Sequence, residues 1–89
     1  MTERWKVTVS GRVHDVGLRA IIARQARILG LVGWVTNIPA GVILEVEGEA
    51  NQLLSFKDWL EQSPGWSKIE KFTQQNIPTV RETEFIIKY

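Results

Sequence analysis

The order of apolar patterns along the chain predicts an α+β fold: an open antiparallel sheet with two helices packed on one face. Three observations carry this. Apolar residues alternate with polar ones in the first and third strand-like runs, the period of a half-buried strand. Two longer runs, Ala20 to Leu29 and Ala50 to Gln62, space their apolar residues as helices do. The runs follow as strand, helix, strand, strand, helix, strand, with one further C-terminal strand, which suits a sheet whose inner face is covered by both helices.

The first strand is read over Trp5 to Val13, where Trp5, Val7 and Val9 alternate with Lys6, Thr8 and Ser10. In the helix that follows, Ile22, Ala26 and Leu29 continue one line from Leu18, and Gly30 is a natural stop. Arg24 and Arg27 are expected on its solvated side. Val32 to Asn37 is a short second strand, and Ile38-Pro39-Ala40-Gly41 a turn in which Gly41 is free to take positive φ. Val42, Leu44 and Val46 then alternate with Ile43, Glu45 and Glu47, a third strand paired with the second as a hairpin. The second helix carries Leu53, Phe56 and Leu60 inward, turns Lys57, Asp58 and Glu61 outward, and ends at Ser63-Pro64-Gly65. Lys68 to Gln74 is a more polar strand, and Glu84 to Tyr89 the last, with Phe85 and Ile87 on one side and Ile86 on the other. This is the βαββαβ order of the ferredoxin-like sandwich.

With 89 residues the chain is read as one domain, 1–89, with a single core. The four tryptophans are expected to fill that core or cover its edges. A net charge of +1 argues against strong non-specific attraction to nucleic acid. RNA recognition by the sheet needs exposed aromatics on the first and third strands, and Ile43, Glu45 and Glu47 offer none. Without cysteine there is no disulfide, thiolate nucleophile or zinc–thiolate site, and a lone histidine makes a histidine-rich metal site unexpected. No run reaches the length of a membrane span, and Met1 to Lys6 has no apolar core of a signal peptide, so a cytoplasmic location is expected.

Gly11-Arg12-Val13-His14-Asp15-Val16-Gly17-Leu18-Arg19 joins the first strand to the first helix. Such a loop can aim several backbone N–H groups at one point, where the positive end of the helix adds to them. Arg19 stands where loop meets helix, and its planar fork of donors suits phosphate or carboxylate. On spacing alone the same pattern also fits a plain strand-to-helix turn with a surface arginine. The following segments, Gly33-Trp34-Val35-Thr36-Asn37 and Gly41-Val42-Ile43, add a second pattern. Together the two resemble the acylphosphatase family, whose signatures read roughly G-x-V-Q-G-V-x-F-R and G-W-V-x-N-x-x-D-G-x-V. Gly11, Val13, Val16 and Arg19 match the first; Gly33, Trp34, Val35, Asn37 and Gly41 match the second, with Ile43 for its valine.

The resemblance implies a ferredoxin-like fold and hydrolysis of carboxyl-phosphate anhydrides to carboxylate and inorganic phosphate. It assigns catalysis to Arg19 and Asn37, with Arg19 holding phosphoryl oxygens and Asn37 orienting the attacking water. It assigns phosphate binding to the loop residues His14, Asp15, Val16, Gly17 and Leu18 together with Arg19. The carboxylate leaving group has a parent acid of pKa about 4 and departs without a strong general acid. No metal or cofactor is therefore expected, and the implied partner is a small-molecule acyl phosphate, with no nucleic acid and no membrane. Outside the family frame, Asn37 reads as the residue that starts the hairpin turn.

Four positions depart from the signatures. His14 replaces glutamine and, as an isolated histidine, is expected to face solvent. Asp15 replaces glycine, Leu18 phenylalanine, and Ala40 the aspartate before Gly41. The leucine is a smaller apolar filler. Asp15 is the consequential change. Aspartate tolerates positive φ better than most residues, so the loop geometry is expected to survive. Its charge is another matter: about 6 Å from a phosphate dianion it is repelled by about 1.4 kcal/mol in a water-like dielectric and about 5 kcal/mol at an effective constant of 20. The alternative reading is thus a catalytically impaired binding or regulatory module that keeps the fold.

Overall fold

The computed structural model describes residues 1–89. Its elements are β1 (Thr2–Arg12), α1 (Leu18–Ile28), β2 (Val32–Ile38), β3 (Gly41–Glu49), α2 (Ala50–Glu61), β4 (Lys68–Ile77) and β5 (Phe85–Ile87). All expected elements are present; β1 and β4 are displaced or lengthened by a few residues and β5 is shorter than expected.

The strands form one sheet in the order β4-β1-β3-β2-β5. Val7, Val9, Val35, Val42, Leu44 and Val46 meet Leu18, Ile22 and Ala26 of α1 and Leu53, Phe56 and Leu60 of α2 in one core on the helix-covered face. Burying such aliphatic side chains is worth about 1.5–3 kcal/mol each before entropy is counted.

The sheet is mixed, not wholly antiparallel. β1 pairs antiparallel with β3 and β4, and β3 with β2, but β5 runs parallel to β2 in the register Gly33↔Phe85, Trp34↔Ile86, Val35↔Ile87. The direction follows from the strand order. β4 lies at one edge, and residues 78–84 carry the chain to the opposite edge, where its reversed course matches that of β2.

That crossing also buries part of the sheet's outer face. Glu47 does point away from the helices, yet it is only 3% exposed. The crossing segment covers it: the backbone N–H of Val80 donates to its Oε1 at 2.8 Å and that of Arg81 to its Oε2 at 3.1 Å. Arg4, 2% exposed, donates from Nη1 to Glu47 at 3.2 Å, from Nε to Glu45 at 2.9 Å and from Nη2 to Glu82 at 2.6 Å. Burial alone would raise the Glu47 carboxyl; the bonds from Val80, Arg4 and Arg81 outweigh it and hold the group below the ordinary carboxylate range.

Of the tryptophans, Trp5 is in the core and Trp34 and Trp59 are half-buried, while Trp66 is 84% exposed and neither fills the core nor covers its edge. Arg24 and Arg27 lie on the outer side of α1 as expected, and Arg27 additionally donates to the Phe85 carbonyl from Nε at 3.1 Å and Nη2 at 2.8 Å, clamping α1 to β5.

Candidate active site

The loop between β1 and α1 is shaped by two left-handed residues, Asp15 at φ 58° and Gly17 at φ 72°. Gly17 is the N-cap of α1 and has no side chain to offer the helix. The first intrahelical bond in reach is from Ile21 N–H to Gly17 O at 3.2 Å. The N–H groups of the first turn are left without a side-chain cap, and no acidic residue stands in that turn to compete for them. Aspartate holds the left-handed conformation at position 15, as expected of a residue that tolerates it.

Beside this helix start lies a cleft of about 160 Å³ lined by Val13, Asp15, Gly17, Leu18, Arg19, Ala20, Asn37, Ile87 and Tyr89. It is smaller than the few hundred Å³ typical of drug-sized ligand pockets, a scale suited to a small anion. Arg19 and Asn37, 18 residues apart in sequence, therefore share one site with Asp15, Gly17 and Leu18. His14 and Val16 do not line it. Val16 packs against the core. His14 is exposed but not simply solvent-facing, since its Nε2 bonds the Gly41 carbonyl at 2.6 Å.

Arg19 forms no ion pair. Its Nη1 donates to the Lys88 carbonyl at 3.4 Å, the long end of the hydrogen-bond range, and its guanidinium carbon lies 4.7 Å from the centroid of the Tyr89 ring. The same carbonyl accepts the Thr36 hydroxyl at 2.9 Å, and Lys88 N–H donates to Val35 O at 2.8 Å. The chain after β5 thus backs the guanidinium and leaves most of its donors unused. The Asn37 carboxamide is exposed and bonds no protein group. An asparagine that starts a turn bonds its side chain to nearby backbone; Asn37 does not.

Asp15 takes part in no ion pair either, so its charge lines the cleft without a direct partner. Gly41 is required for a reason other than the turn. An added Cβ would lie 2.0 Å from the Val9 carbonyl oxygen, so glycine is what lets the hairpin base approach β1.

Ile87, Lys88, Tyr89 and Thr36 were not legible as site residues. The alternation of Phe85 and Ile87 announces a strand, but no local signal says that this strand docks beside β2, next to Arg19.

The family model for acylphosphatase matches residues 5–87, nearly the whole chain. The chain belongs to the acylphosphatase family. It is 39% identical over 84 residues to an acylphosphatase of Marinobacter nauticus, covering 92% of this chain and 91% of that one. Among solved structures, an acylphosphatase from Coxiella burnetii superposes with a TM-score of 0.92 at 28% identity, covering 98% of this chain and 93% of the other. The acylphosphatase from Bacillus subtilis superposes with a TM-score of 0.87 at 27% identity over the full length of both. Membership and neighbours support the function of an acylphosphatase, an enzyme acting on a small-molecule acyl phosphate. No helix is long and apolar enough to cross a membrane.

Proposed function

We propose that residues 1–89 act as one catalytic domain that hydrolyses the carboxyl-phosphate bond of acyl phosphates, with Arg19 holding the phosphoryl group and Asn37 positioning the attacking water. The observation that carries this is the meeting of an unpaired guanidinium, an unpaired carboxamide and an uncapped helix start in one small cleft. The phosphoryl oxygens accept from the Arg19 fork and from backbone N–H groups of the loop residues that line the cleft, Asp15, Gly17 and Leu18, and of the first turn of α1. Both sets of donors stabilise the charge of the transition state.

Asn37 lines the same cleft as the loop and has no competing partner. Its carboxamide, which both donates and accepts hydrogen bonds, orients the water for in-line attack. The water's oxygen bonds to phosphorus while the bond to the acyl oxygen breaks. The electron pair leaves on the carboxylate, whose basicity is low enough that no protonated side chain is needed, and the proton shed by the attacking water passes to an oxygen of the released phosphate. The route uses no metal, cofactor, nucleic acid or membrane, and a cytoplasmic location accompanies it.

A second reading, an impaired module that binds phosphate without turnover, is favoured by one observation: the unpaired Asp15 carboxylate in the same cleft. Release of phosphate from a synthetic acyl phosphate, with Arg19→Ala as control, separates the two. The first reading expects turnover that Arg19→Ala lowers about a thousandfold or more. Phosphate binding without turnover in the unmodified chain supports the second, and equal turnover in both proteins refutes the role of Arg19.

A further inference from the structure

We propose that the His14 side chain is a positioning residue: its Nε2–H, donated to the Gly41 carbonyl, braces the anion loop against the β2–β3 hairpin and so fixes the spacing between loop and Asn37. The inference rests on the functional reading above and adds a residue that acts through another.

The bond spans 27 residues of sequence at 2.6 Å and is the only side-chain hydrogen bond from residues 13–17 to the hairpin. Its two ends differ in firmness. Gly41 lies so close to β1 that a Cβ there would meet the Val9 oxygen at 2.0 Å, which anchors the hairpin base in the sheet. The loop end holds two left-handed residues, Asp15 and Gly17, and no other side-chain bond ties it down. Loss of the brace therefore moves the loop rather than the hairpin.

Asn37 is on the anchored side. It faces Val42, one pair beyond the closing pair Ile38↔Gly41. The loop and Arg19, the second residue of α1, belong to the same β1–α1 junction. Removing the brace leaves the anion's donors with one another and displaces them from Asn37. Turnover suffers more than phosphate binding, because displacements of about 1 Å at a reacting centre cost up to about a hundredfold.

The chemistry fixes which substitutes work. A carbonyl oxygen only accepts, so Nε2 carries the hydrogen. Both the neutral Nε2–H tautomer and the imidazolium satisfy this, and the brace persists in either charge state. Glutamine sets an N–H the same number of bonds from Cα as the imidazole Nε2, and asparagine sets it one bond short. This also explains how histidine stands where the family signature has glutamine without loss of a donor.

The test uses the full chain with His14→Gln, His14→Asn and His14→Ala. The expected result is a fall in kcat of about tenfold in the alanine and asparagine variants, with the dissociation constant for inorganic phosphate changed by less than about threefold, and recovery of kcat to within about twofold in the glutamine variant. Nitrogen NMR of the unmodified protein should show the neutral ring protonated at Nε2 and bare at Nδ1. The proposal is overturned by an Nδ1–H tautomer, by unchanged kcat in the alanine variant, or by a glutamine variant as slow as the alanine one. Should the alanine variant fail to fold, the glutamine–asparagine pair decides. If the unmodified chain releases no phosphate at all, the functional reading fails and the positioning role with it, while the nitrogen spectrum still decides the bond.

Discussion

Asn37 carries a free carboxamide and no charge, so its removal should separate turnover from binding. Asn37→Ala is expected to lower kcat about a hundredfold and to leave inorganic phosphate affinity, measured by titration calorimetry, nearly unchanged. A parallel loss of affinity would move Asn37 from the water to the anion. Asp15 is the counterpart on the loop. It already has the left-handed backbone that the position asks for, so its cost is electrostatic before it is conformational. Asp15→Asn should tighten phosphate binding and raise turnover nearly as much as Asp15→Gly, and the deficit of the original should shrink as salt screens it. If only glycine helps and salt does little, geometry governs instead. At this scale the sequence was largely legible: Arg19, Asn37, Asp15, Gly17 and Leu18 share one cleft. His14 was misjudged because its partner, Gly41, is remote in sequence.

Among the elements, the segment 78–84 stands out, since it crosses from edge to edge of the sheet and is held by Glu47 and Arg4. Arg4→Ala should destabilise the fold by about 3–5 kcal/mol, because it leaves buried carboxylate without its partner; urea denaturation measures this. Acid should loosen the same contact. The folded Glu47 carboxyl is held below its ordinary range, so the unfolded chain takes up its proton more readily. Stability from this group is therefore complete above the ordinary carboxylate range and is lost as pH falls through the lowered folded value. Denaturation curves across that window should show a fall that Glu47→Gln reduces. Alternation placed Glu47 on the outer face correctly, but periodicity within one strand is blind to a distant segment that lies over it. The parallel pairing of β5 escaped for the same reason.

For the molecule as a whole, the proposed chemistry runs on hydrogen bonds and charge alone. Treatment with a strong chelator should change neither the hydrolysis rate nor the melting temperature, and a marked fall in either would refute the metal-free route. The layered architecture was legible because each helix and strand announces its own apolar face in its own few residues. What brings β5 beside Arg19 is a long crossing with no periodic signature.

The crossing also sets an order in time. Ile87, Lys88 and Tyr89 back the Arg19 cleft, and they follow every other part of the site in the chain. During synthesis the anion loop, the helix start and the hairpin all emerge before that last wall exists. A nascent chain can assemble β1, β2 and β3 around the helices while its guanidinium still swings free. On the proposed assignment of Arg19, the cleft is complete only when the C-terminal strand docks.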